Sequence, residues 1–317
     1  MVASDDETVP LDSLGDAPAG IGVVAHRIVH GGDLHEATTI DDALAARLGE
    51  LVELAPLHNA PAVAALAEAR RMLPDARHVA VFDTAFHATI PPVAATYALP
   101  REWRSKIHRY GFHGLSVQWA SERVRVPRLV VCHLGGGCSV TAVRDGRSVD
   151  TTMGFTPLDG VPMATRAGSV DPGALMYLLR RGTTLRELDD ALEHRSGLVA
   201  LAGSADVARL EQSDDPSAAF ALELLAYRTA AAVAAMTVPL GGLDALVFTA
   251  GIGEHSARVR RGICERLDFL GVELDDGRND AAVPDAELAR AASRVRVAVI
   301  RAREELVAAR AARSLPG

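Results

Sequence analysis

The amino-acid sequence predicts an α/β fold, because short apolar segments of strand length alternate along the chain with longer segments of helical pattern. Glycine-rich or polar clusters directly follow several of the apolar segments. In α/β proteins the groups at the carboxyl ends of the strands form the ligand-binding cleft. The sequence therefore predicts both the fold class and the edge at which a functional site lies.

The predicted strands are apolar runs bounded by polar or turn-forming residues. They are Gly22–His26, His78–Phe82, Leu129–Leu134, Ala245–Thr249 and Val295–Ile300. A β-hairpin is predicted where Asp145-Gly146 separates the segments Ser139–Val143 and Ser148–Thr152, since this dipeptide favours the tight turn that joins two antiparallel strands.

The first predicted helix has a clear start signal. Asp41 and Asp42 precede the segment Ala43–Leu48, and an aspartate before a helical segment is a preferred N-cap. The alanine-rich segment Ala60–Met72 predicts a second helix. Further helices are expected at 172–181, 185–192, 217–237 and 256–267, and from about Glu304.

Composition excludes several classes of protein. The chain has 317 residues and a net charge of -8, with no run of Lys and Arg that could form a nucleic-acid surface. Its three cysteines form no disulfide framework, which favours a reducing, cytoplasmic location. The apolar run Thr229–Leu240 is too short to span a bilayer and predicts a buried helix, so we expect no membrane association. Residues 1–20 are acidic and rich in Pro, Gly and Ser, and predict a disordered lead-in.

Two glycine clusters are typical of phosphate-binding loops. Gly135-Gly136-Gly137 and Gly251-Ile252-Gly253 each follow a predicted strand, so that backbone N–H groups can approach an anion closely. Either cluster alone would equally suit a tight turn, and the pair is what favours phosphate binding. Neither matches the G-x-x-x-x-G-K-[ST] loop, so a P-loop enzyme is excluded.

Several charged residues near glycines or strand ends are candidates for anion binding and catalysis. Arg27 and Arg166 could bind a carboxylate or phosphoryl oxygen in a bidentate manner, although a surface ion pair is the ordinary role of an arginine. His113 lies in the segment Arg109-Tyr110-Gly111-Phe112-His113-Gly114, whose arginine, tyrosine and histidine among glycines suit anion handling better than core packing. Asp83 and Glu304 are candidate carboxylates for magnesium binding or proton transfer, and Glu304 could equally be a first-turn carboxylate that favours its helix.

A zinc site is not expected. Histidines recur at His26, His30, His58, His87 and His133. They form no H-E-x-x-H motif and have no paired cysteine spacing, which zinc sites typically require.

Taken in order and spacing, six clusters resemble the acetate kinase (acetokinase) family from about residue 22 to residue 310. The clusters are His26–Gly32, Leu57–Asn59, Phe82–His87, Arg109–Gly114, His133–Gly137 and Gly251–His255. The resemblance implies a two-domain fold of the actin, sugar kinase and Hsp70 type (ribonuclease H-like) and a homodimer. It also implies reversible, Mg²⁺-dependent phosphoryl transfer between ATP and acetate, giving acetyl phosphate and ADP.

By matching motifs, the resemblance implies a role for each candidate. Asp83, His113 and Arg166 would be catalytic, Arg27 would bind the substrate carboxylate and Glu304 would hold magnesium. The small pocket for the substrate methyl group would be lined by Val29, Leu57, Phe112 and Pro157, which favours acetate with propionate tolerated. The nucleotide site would comprise His133, Leu134, Gly135, Gly136, Gly137, Asp206, Val207, Ala208, Gly251, Ile252, Gly253, Glu254 and His255.

The substrate itself constrains the role of Asp83. A carboxylic acid with a pKa of about 4–5 is already ionised at neutral pH, so its attacking oxygen needs no general base. We therefore expect Asp83 to position groups and organise the metal rather than to move a proton.

The chain departs from the family at its beginning. Residues 1–21 contain no N-x-G-S-S-S-x-K phosphate loop, so we expect an incomplete N-terminal domain formed by 21–82 and 306–317, with 83–305 as the nucleotide-binding and dimerisation domain. Two alternatives remain at this point. The chain could be an inactive remnant that serves as a dimerising or binding protein, or it could be a kinase of propionate or butyrate.

Overall fold

The computed structural model describes residues 2–3 and 7–316, in which strands and helices alternate. The strands are β1 (Val2–Ala3), β2 (Thr8–Val9), β3 (Val23–Ile28), β4 (Thr38–Thr39), β5 (Arg77–Phe82), β6 (Arg128–Leu134), β7 (Cys138–Arg144), β8 (Arg147–Thr151), β9 (Ala245–Thr249), β10 (Ala286–Glu287) and β11 (Arg296–Val299). The helices are α1 (Asp42–Glu50), α2 (Pro56–Met72), α3 (Pro92–Ala95), α4 (Arg101–Arg104), α5 (Gly114–Arg123), α6 (Pro172–Arg180), α7 (Leu185–His194), α8 (Gly197–Ala202), α9 (Val207–Glu211), α10 (Pro216–Leu240), α11 (Ala250–His255), α12 (Ala257–Cys264), α13 (Asp276–Asp280) and α14 (Glu304–Ser314).

The chain divides into two units. Unit 1 comprises Met1–Ala88, Tyr110–Trp119 and Arg303–Gly317, and unit 2 comprises Thr89–Arg109 and Ala120–Ala302. In this division the segments 83–88, 110–119 and 303–305, which we expected in the second domain, belong to unit 1. A hydrogen bond between Gly114 N and Asp83 O, 2.9 Å long, joins the segment 110–119 to the end of β5.

Unit 1 contains a three-stranded sheet in the order β3-β5-β4. Strands β3 and β5 are parallel, with Ile28 opposite Phe82. Both side chains are fully buried in a core that also includes Leu44 and Leu48 of α1. The predicted N-cap of α1 is confirmed, since the Asp41 carboxylate accepts a 2.7 Å hydrogen bond from Leu44 N.

The acidic segment at the start of the chain has more local structure than the expected disordered lead-in. Strands β1 and β2 pair antiparallel, and the Ser13 side chain caps a short 3-10 helix over Leu14–Asp16. Residues 1 and 4–6 lie outside the described residues, so for them disorder stays a prediction.

Unit 2 contains a six-stranded mixed sheet in the order β10-β11-β9-β6-β7-β8. Strands β11, β9 and β6 are parallel to one another, whereas β6, β7 and β8 pair antiparallel. The predicted hairpin is confirmed between β7 and β8, where Asp145 and Gly146 both have positive φ, as a type I′ turn requires. This topology leaves β6 and β9 ending side by side.

The longest helix, α10, was expected to be buried, and it is buried along one side only. By length and composition alone it could cross a membrane, a test that core helices of soluble proteins also pass. Here the buried side, which includes Leu225 and Val233, packs against β6 and β7. Phe220, Tyr227 and Val238 lie on its exposed side.

Arg260 of α12 is the largest fully buried side chain in the part of the chain that the structure describes. Its guanidinium donates to the carbonyl oxygens of Gly253 and Glu254, each at 2.9 Å, and to both oxygens of Asn279. Burial lowers the pKa of this guanidinium. Because a buried cation needs partners for its donors, these bonds tie the segment after β9 to α12 and α13.

Replacing Arg260 should therefore destabilise unit 2 strongly. We expect Arg260→Met to lower the free energy of unfolding by about 3 kcal/mol or more, because four acceptors in a buried region lose their donor. The neighbouring Arg261 forms surface ion pairs with Asp276 and Asp280, so Arg261→Met should cost about 1 kcal/mol at most. Urea denaturation of both variants measures the difference, and equal losses would contradict this account.

Candidate functional site

In unit 1, an arginine and a carboxylate meet at the edge where two parallel strands end. Arg27 is the penultimate residue of β3, and Asp83 directly follows β5. The Arg27 guanidinium donates through Nε to Asp83 Oδ1 at 2.9 Å and through Nη2 to Oδ2 at 2.7 Å. Asp83 is 0% exposed. This two-bond geometry fixes the plane of the guanidinium as well as its position.

Two further predicted residues lie at the same edge. Glu304 begins α14, and its Oε1 is 3.4 Å from Arg27 Nη2. His113 has a left-handed backbone, with φ of 61°, and the next residue, Gly114, bonds to the Asp83 carbonyl. A Cβ at position 114 would lie 2.2 Å from that carbonyl oxygen, so only glycine fits there. The structure thus brings Arg27, Asp83, His113 and Glu304 together.

The electrostatics of this edge favour a permanently charged arginine. Burial by itself would lower the pKa of Arg27, but the charge of Asp83, its hydrogen bonds and the nearby Glu304 raise the pKa instead. The guanidinium therefore stays protonated at any physiological pH.

The same two carboxylates fit a magnesium ion. Magnesium usually keeps several waters and takes one or two carboxylates together with phosphate oxygens. Asp83 and Glu304 both reach the same Arg27 nitrogen, so they lie within a few ångströms of each other. Among residues 2–3 and 7–316 no group of three or more His, Cys, Asp and Glu side chains forms an all-protein cage.

The apolar candidates of unit 1 differ in burial. Phe112 is buried, and the edge of its ring packs against the His30 ring, with the two centroids 5.3 Å apart. Val29, which directly follows β3, is half-buried. Leu57, near the start of α2, is exposed. Their assignment to a methyl pocket stays a prediction.

In unit 2, both predicted glycine segments lie at the edge where β6 and β9 end. His133 of β6 is opposite Thr249 of β9 in the parallel register. A Cβ on Gly135 would lie 3.4 Å from the Ala250 Cβ and 3.9 Å from Gly251 N. The two glycine segments are therefore neighbours, as the sequence predicted from strand ends alone.

Parts of the second glycine segment have a structural role that the sequence did not reveal. The buried Glu254 accepts hydrogen bonds from Ala250 N at 3.0 Å and from Ala302 N at 2.8 Å through the same oxygen. Ala250 itself has φ of 66°, which is strained for a residue with a Cβ. The Glu254 carboxylate thus holds the segment in shape, whereas His255 and Gly251 are exposed.

Arg166 lies in a turn that contacts the first glycine segment. Ala164 N donates to Gly136 O at 3.3 Å, and Met163 N closes the turn on Arg166 O at 3.0 Å. The buried guanidinium donates through Nη1 to Pro157 O at 3.2 Å. Burial lowers its pKa, opposed by the charge of Glu193. Within unit 2 the structure therefore brings together Arg166, Pro157 and both glycine segments.

The predicted nucleotide residues on α9 are arranged around a helix start. The Asp206 carboxylate caps α9 by accepting a 2.9 Å hydrogen bond from Ala208 N. Val207 is buried and Ala208 is exposed. The contribution of these three residues to a nucleotide site stays a prediction.

Arg109, whose cluster suits anion handling, contacts carbonyl oxygens and the carboxylates of Asp150 and Asp159 within unit 2. Its Nη1 donates to the carbonyl oxygens of Thr151, Thr152 and Met153 at 2.8–3.1 Å. The guanidinium also lies over the Tyr97 ring, 5.6 Å from its centroid. Arg109 thus fixes the chain that leads from β8 towards Pro157.

Sequence reasoning missed Glu193, Arg260 and the carboxylate role of Glu254. Glu193 and Arg260 are part of no local motif, and Glu254, although it lies in a predicted cluster, also binds the distant Ala302 N. Glu193 is the penultimate residue of α7, yet its Oε2 lies 3.6 Å from Arg166 Nε. No spacing rule connects two residues that far apart along the chain.

Comparison with known proteins gives a consistent result. The model of the Acetokinase family matches residues 8–310. The acetate kinase of Nostoc punctiforme is 44% identical over 95% of this chain and 77% of its own length, and that of Gloeobacter violaceus is 45% identical over 92% and 76%.

Solved structures agree in fold. The propionate kinase of Francisella tularensis superposes with a TM-score of 0.88 and 36% identity, covering 93% of this chain and 79% of that one. The acetate kinase of Entamoeba histolytica gives a TM-score of 0.87 and 33% identity, with coverage of 93% and 81%. The predicted α/β fold of the actin and sugar kinase type is confirmed by these similarities.

The buried His87 in unit 1 should make stability depend on pH. Its Nε2–H donates to Phe112 O at 2.8 Å, and burial lowers its pKa from 6.5 to about 4, although that hydrogen bond and Asp83 act in the opposite direction. The unfolded chain therefore binds more protons between those two values. Stability is fully present above pH 6.5 and falls on acidification towards pH 4, by about 3 kcal/mol for this group.

We expect His87→Gln to reduce, by the share of this one group, the loss of unfolding free energy between pH 6.5 and pH 4, because the glutamine side chain does not titrate. The exposed His35 provides the control, and His35→Gln should leave the slope of the wild type unchanged. Denaturant titrations at a series of pH values give the three slopes. Parallel curves for His87→Gln and the wild type would disprove the assignment.

Proposed function

Because the chain belongs to the Acetokinase family, whose members are phosphotransferases, we propose that it transfers a phosphoryl group reversibly between ATP and acetate, giving acetyl phosphate and ADP. The observation that carries this proposal is the arrangement in unit 2. There the Arg166 turn bonds to one glycine segment, and that segment lies beside the other. Backbone N–H groups and a nearby guanidinium are what a polyphosphate requires.

The residues of unit 1 suit a carboxylate substrate. Arg27, oriented by Asp83, would bind the acetate carboxylate, and His113 would support the transferring phosphoryl group. The acetate oxygen is already ionised and needs no base, so Asp83 acts by orienting Arg27. Asp83 and Glu304 would hold Mg²⁺, which would supply positive charge for phosphoryl transfer.

Val29, Leu57 and Phe112 of unit 1 are the apolar residues that would accept the methyl group of acetate. Their bulk favours acetate over longer acids, with propionate tolerated. Support for such tolerance comes from the similarity to a protein described as a propionate kinase.

Activity of the purified chain tests the proposal directly. With ATP, Mg²⁺ and acetate, trapping of the product with hydroxylamine should give acetyl hydroxamate. Parallel reactions with propionate and butyrate rank the acids, and acetate should give the highest kcat/KM. Absence of product with all three acids would overturn the proposal and favour a role in binding only.

Arg166→Ala should reduce turnover sharply. Loss of one cation that stabilises a transferring group typically costs about 10²–10³ in rate. The exposed Arg195, which pairs with Asp190 on the surface of unit 2, provides a matched control, and Arg195→Ala should leave kcat within about twofold. If Arg166→Ala lowers kcat by less than tenfold, Arg166 does not stabilise the transferring phosphoryl group.

The proposal also includes a homodimer in the cytoplasm. Helix α6 is apolar in sequence, yet none of its residues is buried, and Met176, Tyr177 and Leu178 are exposed. Exposed apolar surface of this kind is typical of a face that binds a partner. The buried, unpaired state of Cys132, Cys138 and Cys264 is compatible with a reducing compartment.

A charge on α6 should disrupt such a dimer. Tyr177 is 58% exposed, so Tyr177→Glu should leave the fold of one chain intact but make association unfavourable. Val93, also exposed in unit 2, provides the control as Val93→Glu. Light scattering after size-exclusion chromatography should give a dimer for the wild type and the control, and a monomer for Tyr177→Glu. A dimeric Tyr177→Glu would exclude α6 from the interface.

A further inference from the structure

The turn that carries Arg166 is attached on one side to the end of α7 and the start of α8. Ser196 N donates to Thr165 O at 2.9 Å, and Leu198 N donates to Met163 O at 3.0 Å. The Thr165 hydroxyl donates to the Glu193 carbonyl at 2.8 Å. The backbone of the turn is therefore held by several bonds to one neighbouring segment.

The approach of the two segments is too close for any side chain at Gly197. A Cβ there would lie 2.1 Å from Met163 O and 2.7 Å from Arg166 O, and the backbone φ of 64° also favours glycine. This close contact sets the distance between the Arg166 turn and the end of α7, where Glu193 lies.

Glu193 directs a carboxylate at Arg166. Its Oε2 lies 3.6 Å from Arg166 Nε, and the side chains of Arg166 and Glu193 are only 9% and 16% exposed. The distance is longer than a direct hydrogen bond, so the attraction is mainly between charges. Away from bulk water such an attraction is considerably stronger than at the surface.

A second nitrogen of the same guanidinium, Nη1, donates to Pro157 O at 3.2 Å. The guanidinium is thus held by a carboxylate near Nε and by a carbonyl oxygen at Nη1, which restricts rotation of a long side chain.

We propose that Glu193 is a positioning residue for phosphoryl transfer, whose charge holds the Arg166 guanidinium in its working orientation. This inference rests on the proposed function, because it assigns Glu193 an effect on a reaction that Arg166 assists. In-line phosphoryl transfer depends on alignment of the stabilising cations, and small displacements of such groups reduce rates strongly. Glu193 therefore affects kcat through Arg166 without touching the substrate.

A purely structural ion pair would give a different pattern. Loss of Glu193 would then lower thermal stability, and its effect on turnover would be independent of the side chain at position 166. A positioning role instead makes the effect on turnover depend on Arg166.

The test is a double-mutant cycle with Glu193→Gln, Arg166→Ala and the combined variant. Glu193→Gln removes the charge and keeps the size of the side chain. Its kcat should fall about tenfold to a hundredfold, with the KM values for ATP and acetate within about twofold. In the Arg166→Ala background the same change should have no further effect on kcat. Glu193→Asp, which keeps the charge, should recover part of the activity.

Asp189 supplies the control, because it is an exposed carboxylate on the same helix, and Asp189→Asn should leave kcat unchanged. If the wild type is active and Glu193→Gln leaves kcat unchanged, this inference is wrong and the proposed function stands. The same conclusion follows if the losses of the two single variants multiply in the double variant. A wild-type chain without kinase activity would overturn both.

Discussion

Parallel pairing of strands is the constraint on which both candidate sites depend. In unit 1, β3 and β5 run parallel and end together, so Arg27 and Asp83 meet although 56 residues separate them. In unit 2, β6 and β9 run parallel, and the glycine segments that follow them become neighbours. Because parallel strands end at one edge of the sheet, the sheet itself brings together residues that are distant along the chain.

Three arginines, of which Arg166 and Arg260 are buried, show a second common feature. Arg27 binds a buried carboxylate, Arg166 lies between a carboxylate and a carbonyl oxygen, and Arg260 binds carbonyl oxygens and an amide. A buried cation without such partners would be strongly destabilising. The guanidinium groups that the proposed reaction requires are therefore already oriented in the folded protein before any substrate binds.

Local signals made much of the fold and part of the site predictable. The cap at Asp41, the turn at Asp145 and the strand limits depend on neighbouring residues, so their physical cause can be read directly in the sequence. The glycine segments were found for the same reason. The catalytic and binding roles themselves came from the resemblance to a family, and the residue assignments stay predictions.

What could not be predicted depends on contacts between distant segments. Arg109 has the sequence surroundings of an anion-binding residue, and only the folded chain shows that three carbonyl oxygens occupy its Nη1. Glu193 has no distinctive neighbours at all. The inclusion of 110–119 in unit 1 likewise depends on a hydrogen bond between Gly114 and Asp83.

The positive φ angles of His113 and Ala250 have a consequence for the evolution of the chain. Ala250 directly follows β9, and His113 precedes the glycine that bonds to the end of β5. Each holds a backbone conformation that costs about 1–3 kcal/mol for a residue with a Cβ. Glycine at either position would relieve that cost. Selection for thermal stability alone would therefore favour glycine at both positions. Retention of a histidine at position 113 would indicate that catalytic activity, and not thermal stability, is under selection there.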